Sequence, residues 1–169
     1  MDKKVIIING RGGVGKDTLI ESLQNEYHVL NISAIDPIKK IAFQNGYDGG
    51  KSDKDRKFLS DLKKAFIEYN DLPNKYLIEK YHEFLMSDYF EVLFVHIREP
   101  EEIDKFKELV PFAKTLLIYT NDDKVFNNDS DNNVEDYNYD FKYDNSHDLC
   151  TLEESKKCFL KFFRNSIMY

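Results

Sequence analysis

A glycine-rich turn from Gly10 to Thr18 stands between the β-branched run Val5 to Asn9 and a segment whose apolar residues Leu19, Ile20 and Leu23 recur at helical spacing. A buried strand that feeds a tight loop straight into a helix belongs to open α/β sheets, and few other architectures accommodate it. The glycines let the backbone fold tightly with several N–H groups aimed inward. Lys16 and the positive end of the following helix add charge, so the loop is a cradle for phosphate oxygens.

The spacing sharpens this reading. Gly10, Gly15 and Lys16 fit the pattern of Gly, four residues, Gly and Lys, but Asp17 stands where a Ser or Thr is expected and Thr18 comes one residue late. A hydroxyl at that position ligates Mg²⁺ directly, whereas a carboxylate would hold a metal-bound water and profit from the helix dipole. Thr18 would then serve the α-phosphate. The expected ligand is ATP with Mg²⁺, bound by Gly10, Arg11, Gly12, Gly13, Val14, Gly15, Lys16, Asp17 and Thr18.

A chain of 169 residues with 41% hydrophobic content suits one domain with a real core. The net charge of −7 excludes a broad basic surface for nucleic acid, so anions must be gripped locally. Cys150 and Cys158, eight apart, match no metal spacing and are expected as buried thiols. No stretch approaches the ~20 apolar residues of a membrane span, and the run behind Lys3 and Lys4 is too short for a signal sequence, which predicts a cytoplasmic protein. The oligomeric state is left open.

Strand and helix patterns alternate after the loop. A second strand is expected over Tyr27 to Ile32, and Asp36-Pro37 reads as an N-cap and first helical residue of a short helix ending near Asn45 and Gly46. Ser52 to Ser87 reads as two helices broken around Asn70 to Pro73, the first buried along Phe58, Leu62, Phe66 and Tyr69. Val92 to Ile97, Lys114 to Tyr119 and Tyr139 to Tyr143 are expected strands, with a helix over Glu99 to Leu109. Residues 121–136 are acidic and rich in loop formers, as in a mobile cover. Thr151 and Glu154 form a capping box for a terminal helix with Leu152, Cys158, Phe159, Phe162 and Phe163 on its buried side. The expected architecture is a three-layer, doubly wound parallel sheet of the P-loop NTPase type. It is one domain over 1–169, with a helical insertion at about 36–87 and a lid-like loop at about 121–136.

Phosphoryl transfer needs cations and positioning more than covalent chemistry. The four arginines are Arg11, Arg56, Arg98 and Arg164. Arg98 follows the expected central strand and would hold a phosphate of the second substrate; its alternative is an ion pair with Glu99, Glu101 or Glu102. Arg56 opens the first helix of the insertion, with Lys63 and Lys64 two turns on, and these would present positive charge to an acceptor or lie on a solvated face. Arg11 lies in the loop itself, and Arg164 reads as surface. The catalytic set is therefore Lys16, Arg98 and Arg56. Asp17 and Glu99 are the candidate metal ligands, with Asp36 as a third carboxylate that also suits capping. His96 fits a satisfied core histidine better than a catalyst.

The Gly15-Lys16-Asp17-Thr18 spelling resembles the loop of bacteriophage-type deoxynucleoside monophosphate kinases and the GKD spelling of animal-type phosphomevalonate kinases, both in the nucleoside monophosphate kinase-like group. The likeness extends through Asp36 to Lys39, Asp55 to Lys63, His96 to Ile103 and Tyr139 to Asn145. It implies ATP at the loop, an insertion that closes over the acceptor and a lid between the last two strands. Here the lid segment carries Lys124 and no arginine. The leading functional reading is an ATP-dependent kinase acting on a phosphorylated small molecule, a (deoxy)nucleoside monophosphate first. A hydrolysing NTPase switch or a non-catalytic nucleotide sensor are the alternatives. Asn121 to Lys124 does not reproduce the Asn-Lys-x-Asp pattern of guanine-specific switches.

Overall fold

Val5, Ile6, Ile7 and Ile8 are all buried, yet they serve two different cores, because alternate residues of a strand point to opposite faces of its sheet. Each such side chain contributes about 1.5–3 kcal/mol on burial. The computed structural model describes residues 3–121, 133–146 and 151–169. Most of the acidic loop, Lys124 included, and Cys150 lie outside the described residues.

Five strands, β1 (Lys4–Asn9), β2 (Val29–Ser33), β3 (Val92–His96), β4 (Lys114–Tyr119) and β5 (Phe141–Asp144), pair in the order β2-β3-β1-β4-β5. Every pairing is parallel, so the carboxyl ends of all five strands share one edge. Val5 and Ile7 pack with Leu93, Val95 and residues of α4 (Leu72–Met86) and α5 (Pro100–Leu109). Ile6 and Ile8 pack on the other face with α1 (Lys16–Leu23) and α6 (Leu152–Phe163). This is the doubly wound sandwich expected from the alternating pattern.

Between β2 and β3 run α2 (Asp36–Gln44), α3 (Asp53–Asn70) and α4. Ile38, Ala42 and Leu59 make a small core of their own, flanked by Leu62 and Phe66. The buried strip of α3 is thus Leu59, Leu62 and Phe66. Phe58 (45% exposed) and Tyr69 (84%), expected in this stripe, face solvent instead, because α3 packs on the small core it shares with α2 through Leu59 rather than Phe58. The two helices break at Asp71, whose φ of 55° reverses the chain, with Pro73 in the first turn of α4. Lys3 reaches across from the strand edge to the C-terminus of α4, donating to the Phe90 carbonyl at 3.1 Å and to the Phe84 and Ser87 carbonyls. A cation there satisfies carbonyls that the helix leaves open.

The capping box of α6 is present, with Thr151 accepting from the Glu154 amide and Glu154 from the Thr151 amide. Its buried face differs from expectation. Ser155, Phe159 and Phe163 are buried at four-residue intervals, a strip that Ile167 continues in the π-helical turn Arg164–Met168, while Leu152 and Cys158 are exposed. Position 158 lies one residue off that strip, which turns the thiol to solvent. The second strand also begins two residues later than expected, and the last one is shifted from Tyr139 to Phe141 at its start.

Candidate functional site

The glycine-rich turn leaves β1 at the carboxyl edge of the sheet and enters α1 at Lys16. Gly10, Gly13 and Gly15 have φ of 149°, 82° and 89°, values that side chains rarely adopt. At Gly10 the backbone passes so near β4 that a Cβ would lie 2.4 Å from the Ile118 carbonyl oxygen, and a Cβ at Gly15 would lie 2.8 Å from Asn145 Nδ2. Lys16 Nζ crosses the turn and donates to the carbonyls of Gly10 at 2.5 Å and Arg11 at 2.9 Å.

Two buried asparagines pin this loop. Asn9 Nδ2 donates to the Arg98 carbonyl at 2.9 Å and lies 2.8 Å from Tyr139 Oη, while Asn9 Oδ1 accepts from the Gly10 amide. Tyr139 in turn donates to the Val134 carbonyl, and burial pushes its phenol up to about 12. Asn145, just beyond β5, donates to the Val14 carbonyl at 2.8 Å and accepts from Ser155 of α6 at 2.8 Å. Sequence reasoning missed both roles. Asn9 signals itself only as a polar residue closing a fully apolar strand, and Asn145 has no signal beyond following the last one.

Next to the loop, the ends of β3 and β2 bring His96, Asp17 and Asp36 together. His96 Nε2 is 2.8 Å from Asn31 Oδ1 and 3.8 Å from Asp17 Oδ1. Burial drives the His96 imidazole down to about 4 against the upward pull of Asp17, and Lys16, Arg98 and Lys39 add to the fall. It is therefore neutral near pH 7 and bonded to Asn31, as a satisfied histidine should be. Asp36 is not the cap of α2: Ile35 occupies that position and Asp36 is the first helical residue. Its Oδ2 accepts from the Ser33 amide at 2.7 Å and from Tyr76 at 3.5 Å. Burial pushes its carboxyl up further than the Ser33 amide, Lys39 and Tyr76 pull it down, and Asp17 adds to the rise. Tyr76 of α4 is itself pushed up to about 12 by burial and by Asp36.

The arginines divide. Arg98 is exposed at the end of β3 and close enough to act on the His96 and Glu99 charges. Arg11 Nε is 3.2 Å from Glu135 Oε1. Arg56 is exposed on the first turn of α3, and among the described residues no hydrogen bond or ion pair joins its side chain to the loop. Lys63 is taken by a half-buried ion pair with Glu102 at 2.6 Å. Arg164 pairs with Glu26 on the surface. Glu99 stands at the N-cap position of α5 without a side-chain capping bond, and burial and Glu102 push its carboxyl up, opposed by Lys63 and Arg98.

Among the described residues no group of three or more His, Cys, Asp or Glu side chains could hold a metal ion. Mg²⁺ needs only one or two carboxylates when phosphate and water complete its shell. Asp17, 81% exposed beside Lys16 at the start of α1, suits an ion that arrives with a polyphosphate rather than one held permanently. Among the described residues no helix is long and apolar enough to cross a membrane.

No family model matches the chain, and no curated protein matches it in sequence. Solved structures do match in fold. A sugar kinase from Janibacter sp. HTCC2649 superposes with a TM-score of 0.50 at 13% identity, covering 97% of this chain and 96% of that one. An APS kinase from Mycobacterium tuberculosis gives 0.45 at 13% identity over 96% of this chain and 98% of that one. A protein from Chloroflexus aurantiacus j-10-fl, provisionally called a kinase, gives 0.41 at 20% identity over 69% of this chain and 58% of that one. At 13% identity the sugar kinase superposition supports the doubly wound α/β fold that the five-stranded parallel sheet already shows, and nothing finer.

Proposed function

We propose that the chain is an ATP-dependent kinase that passes the γ-phosphoryl group to a small phosphorylated acceptor, a (deoxy)nucleoside monophosphate. The observation that carries the reading is the seat of Lys16, whose ammonium spans a glycine loop at the carboxyl edge of the sheet and donates to the Gly10 and Arg11 carbonyls, where phosphate oxygens would sit. In the reaction an ionised oxygen of the acceptor phosphate forms a bond to the γ-phosphorus. The bond from that phosphorus to the β–γ bridging oxygen breaks, and ADP leaves. The nucleophile is already ionised, so no general base is needed, which agrees with a His96 that is neutral and occupied by Asn31.

Catalysis then rests on charge and alignment. Loop amides and the start of α1 would hold the β-phosphate, Lys16 would follow charge from the γ- to the β-oxygens, and Thr18 would meet the α-phosphate. Arg98, with Lys39 nearby, would take the acceptor phosphate, and Arg56 would approach from the insertion. Mg²⁺ would be held by Asp17, with Glu99 the second candidate, and when bound it neutralises charge on the transferred group.

The test is ADP release from ATP in the presence of a panel of nucleoside monophosphates and other phosphorylated metabolites. Acceptor-dependent release is expected, and Lys16→Ala should lower kcat/KM by about 10²-fold or more. ADP release that ignores every acceptor would show an NTPase, and ATP binding without turnover a sensor; either outcome ends the kinase reading.

A further inference from the structure

A cleft of about 160 Å³ opens where the start of α5 meets the junction of α3 and α4. It lies beside Ala34, which follows β2 and whose amide bonds the His96 carbonyl at 3.1 Å. The cleft therefore begins at the carboxyl edge of the sheet, two residues from Asp36. Its floor is apolar, made by Ala34, Ile67 and Leu77.

The rim is ionic. On one side Lys105 and Asp71 pair at 2.6 Å. On the other Glu102 is fixed by Lys63 at 2.6 Å, with Asn74 also at the rim. Carboxylates outnumber the single lysine lining the cleft, so a phosphate is repelled from it and drawn instead toward Lys39 and Arg98. What such a cleft favours is the neutral end of an acceptor: flat, apolar on its faces and carrying hydrogen-bond donors on its edge, because an ionised carboxylate only accepts.

Size narrows the choice. A cavity of about 150 Å³ in another protein is known to hold a benzene ring. The enclosed space therefore matches one six-membered ring more closely than a fused pair. Among single-ring bases the exocyclic amino group of a cytosine-type ring offers Glu102 two donor hydrogens, while the one donor on the edge of a uracil-type ring, N3–H, is flanked by two carbonyl acceptors that a carboxylate repels.

Resting on the kinase reading above, we infer that this cleft takes the base of the acceptor, and that the acceptor is an aminopyrimidine (cytosine-type) nucleoside monophosphate. Glu102, Asn74 and Ile67 are then the residues that set specificity.

The experiment measures direct binding of cytidine, uridine, adenosine and guanosine monophosphates and their deoxy forms by titration calorimetry, alongside acceptor-dependent ADP release. The cytosine nucleotides should bind at least about tenfold more tightly than the others. Glu102→Gln should erase most of the preference for cytosine over uracil, and Ile67→Ala, at a half-buried position, should admit purines. Tightest binding by a purine or uracil nucleotide, or preferences that neither variant alters, would overturn the inference while leaving the kinase reading intact. Selective cytosine binding without ADP release would keep this inference and end that reading.

Discussion

Single residues set the geometry of the glycine loop. Gly10 combines a φ of 149° with a passage against β4 that leaves no room for a Cβ. Gly10→Ala would force its methyl group against the Ile118 carbonyl oxygen, a backbone atom that cannot yield without disturbing the pairing of β4. The variant should lose about 1–3 kcal/mol of stability, and ATP binding with it. Thermal unfolding with and without ATP checks this: an unchanged midpoint and an unchanged ATP-induced shift would show that the loop tolerates a side chain there. The spacing alone placed the turn between β1 and α1, with Lys16 at the start of the helix. It could not announce that Asn9 and Asn145 hold the loop from outside, since their partners lie 89 and 131 residues away.

At the scale of elements, one carboxylate ties the start of the β4–β5 edge pairing. Asp140 Oδ2 accepts from the Thr115 amide at 2.8 Å and from its hydroxyl at 3.0 Å, and the Asp140 amide donates back to Thr115 Oγ1 at 2.8 Å. Burial alone would raise this carboxyl, but the two bonds from Thr115, with Lys107 and Lys114, outweigh it and hold the group below its ordinary 3.8. A depressed carboxylate contributes stability that is present above the unfolded value and is lost as pH falls through the folded one. Asp140→Asn should therefore cost about 1–3 kcal/mol near neutral pH. The difference from wild type should shrink below about pH 4, where the native carboxyl takes up its proton. Urea unfolding at pH 7 and at pH 3 measures both values, and an equal gap at the two would show that the charge plays no part. Helices and strands were read well where an apolar pattern was long. The stripes of α3 and α6 were misread because which line of a helix is buried depends on the neighbour it meets, as Phe58, Tyr69 and Cys158 show by facing solvent.

Over the whole molecule, the insertion α2 to α4 is fastened to the sheet at the far end of α4. Lys3 supplies that fastening by bonding three carbonyls around the helix terminus and lying 4.5 Å from the Phe84 ring centroid. Lys3→Met keeps the length of the stem and removes the donor, leaving part-buried carbonyls unsatisfied. We expect a loss of about 1.5–3 kcal/mol, seen as a lower urea midpoint with an unchanged slope. A midpoint equal to wild type would mean that water replaces the ammonium without cost.

By itself the sequence determined the parts with local causes. A β-branched run must be buried on both faces, glycines must take the turn after it, a lysine at that spacing must stand over it, and strands alternating with helices must wind into a parallel sheet. Only the tertiary structure decided which distant residues converge there: the strand order that sets β3 beside β1 and so brings His96 and Arg98 near Lys16, the asparagines that brace the loop, and the cleft closed by Lys63, Glu102, Asp71 and Lys105. The physical reason is that spacing encodes interactions within a strand or a helical turn. Contacts between elements arise from the packing of whole faces, and no short segment of the chain records that packing.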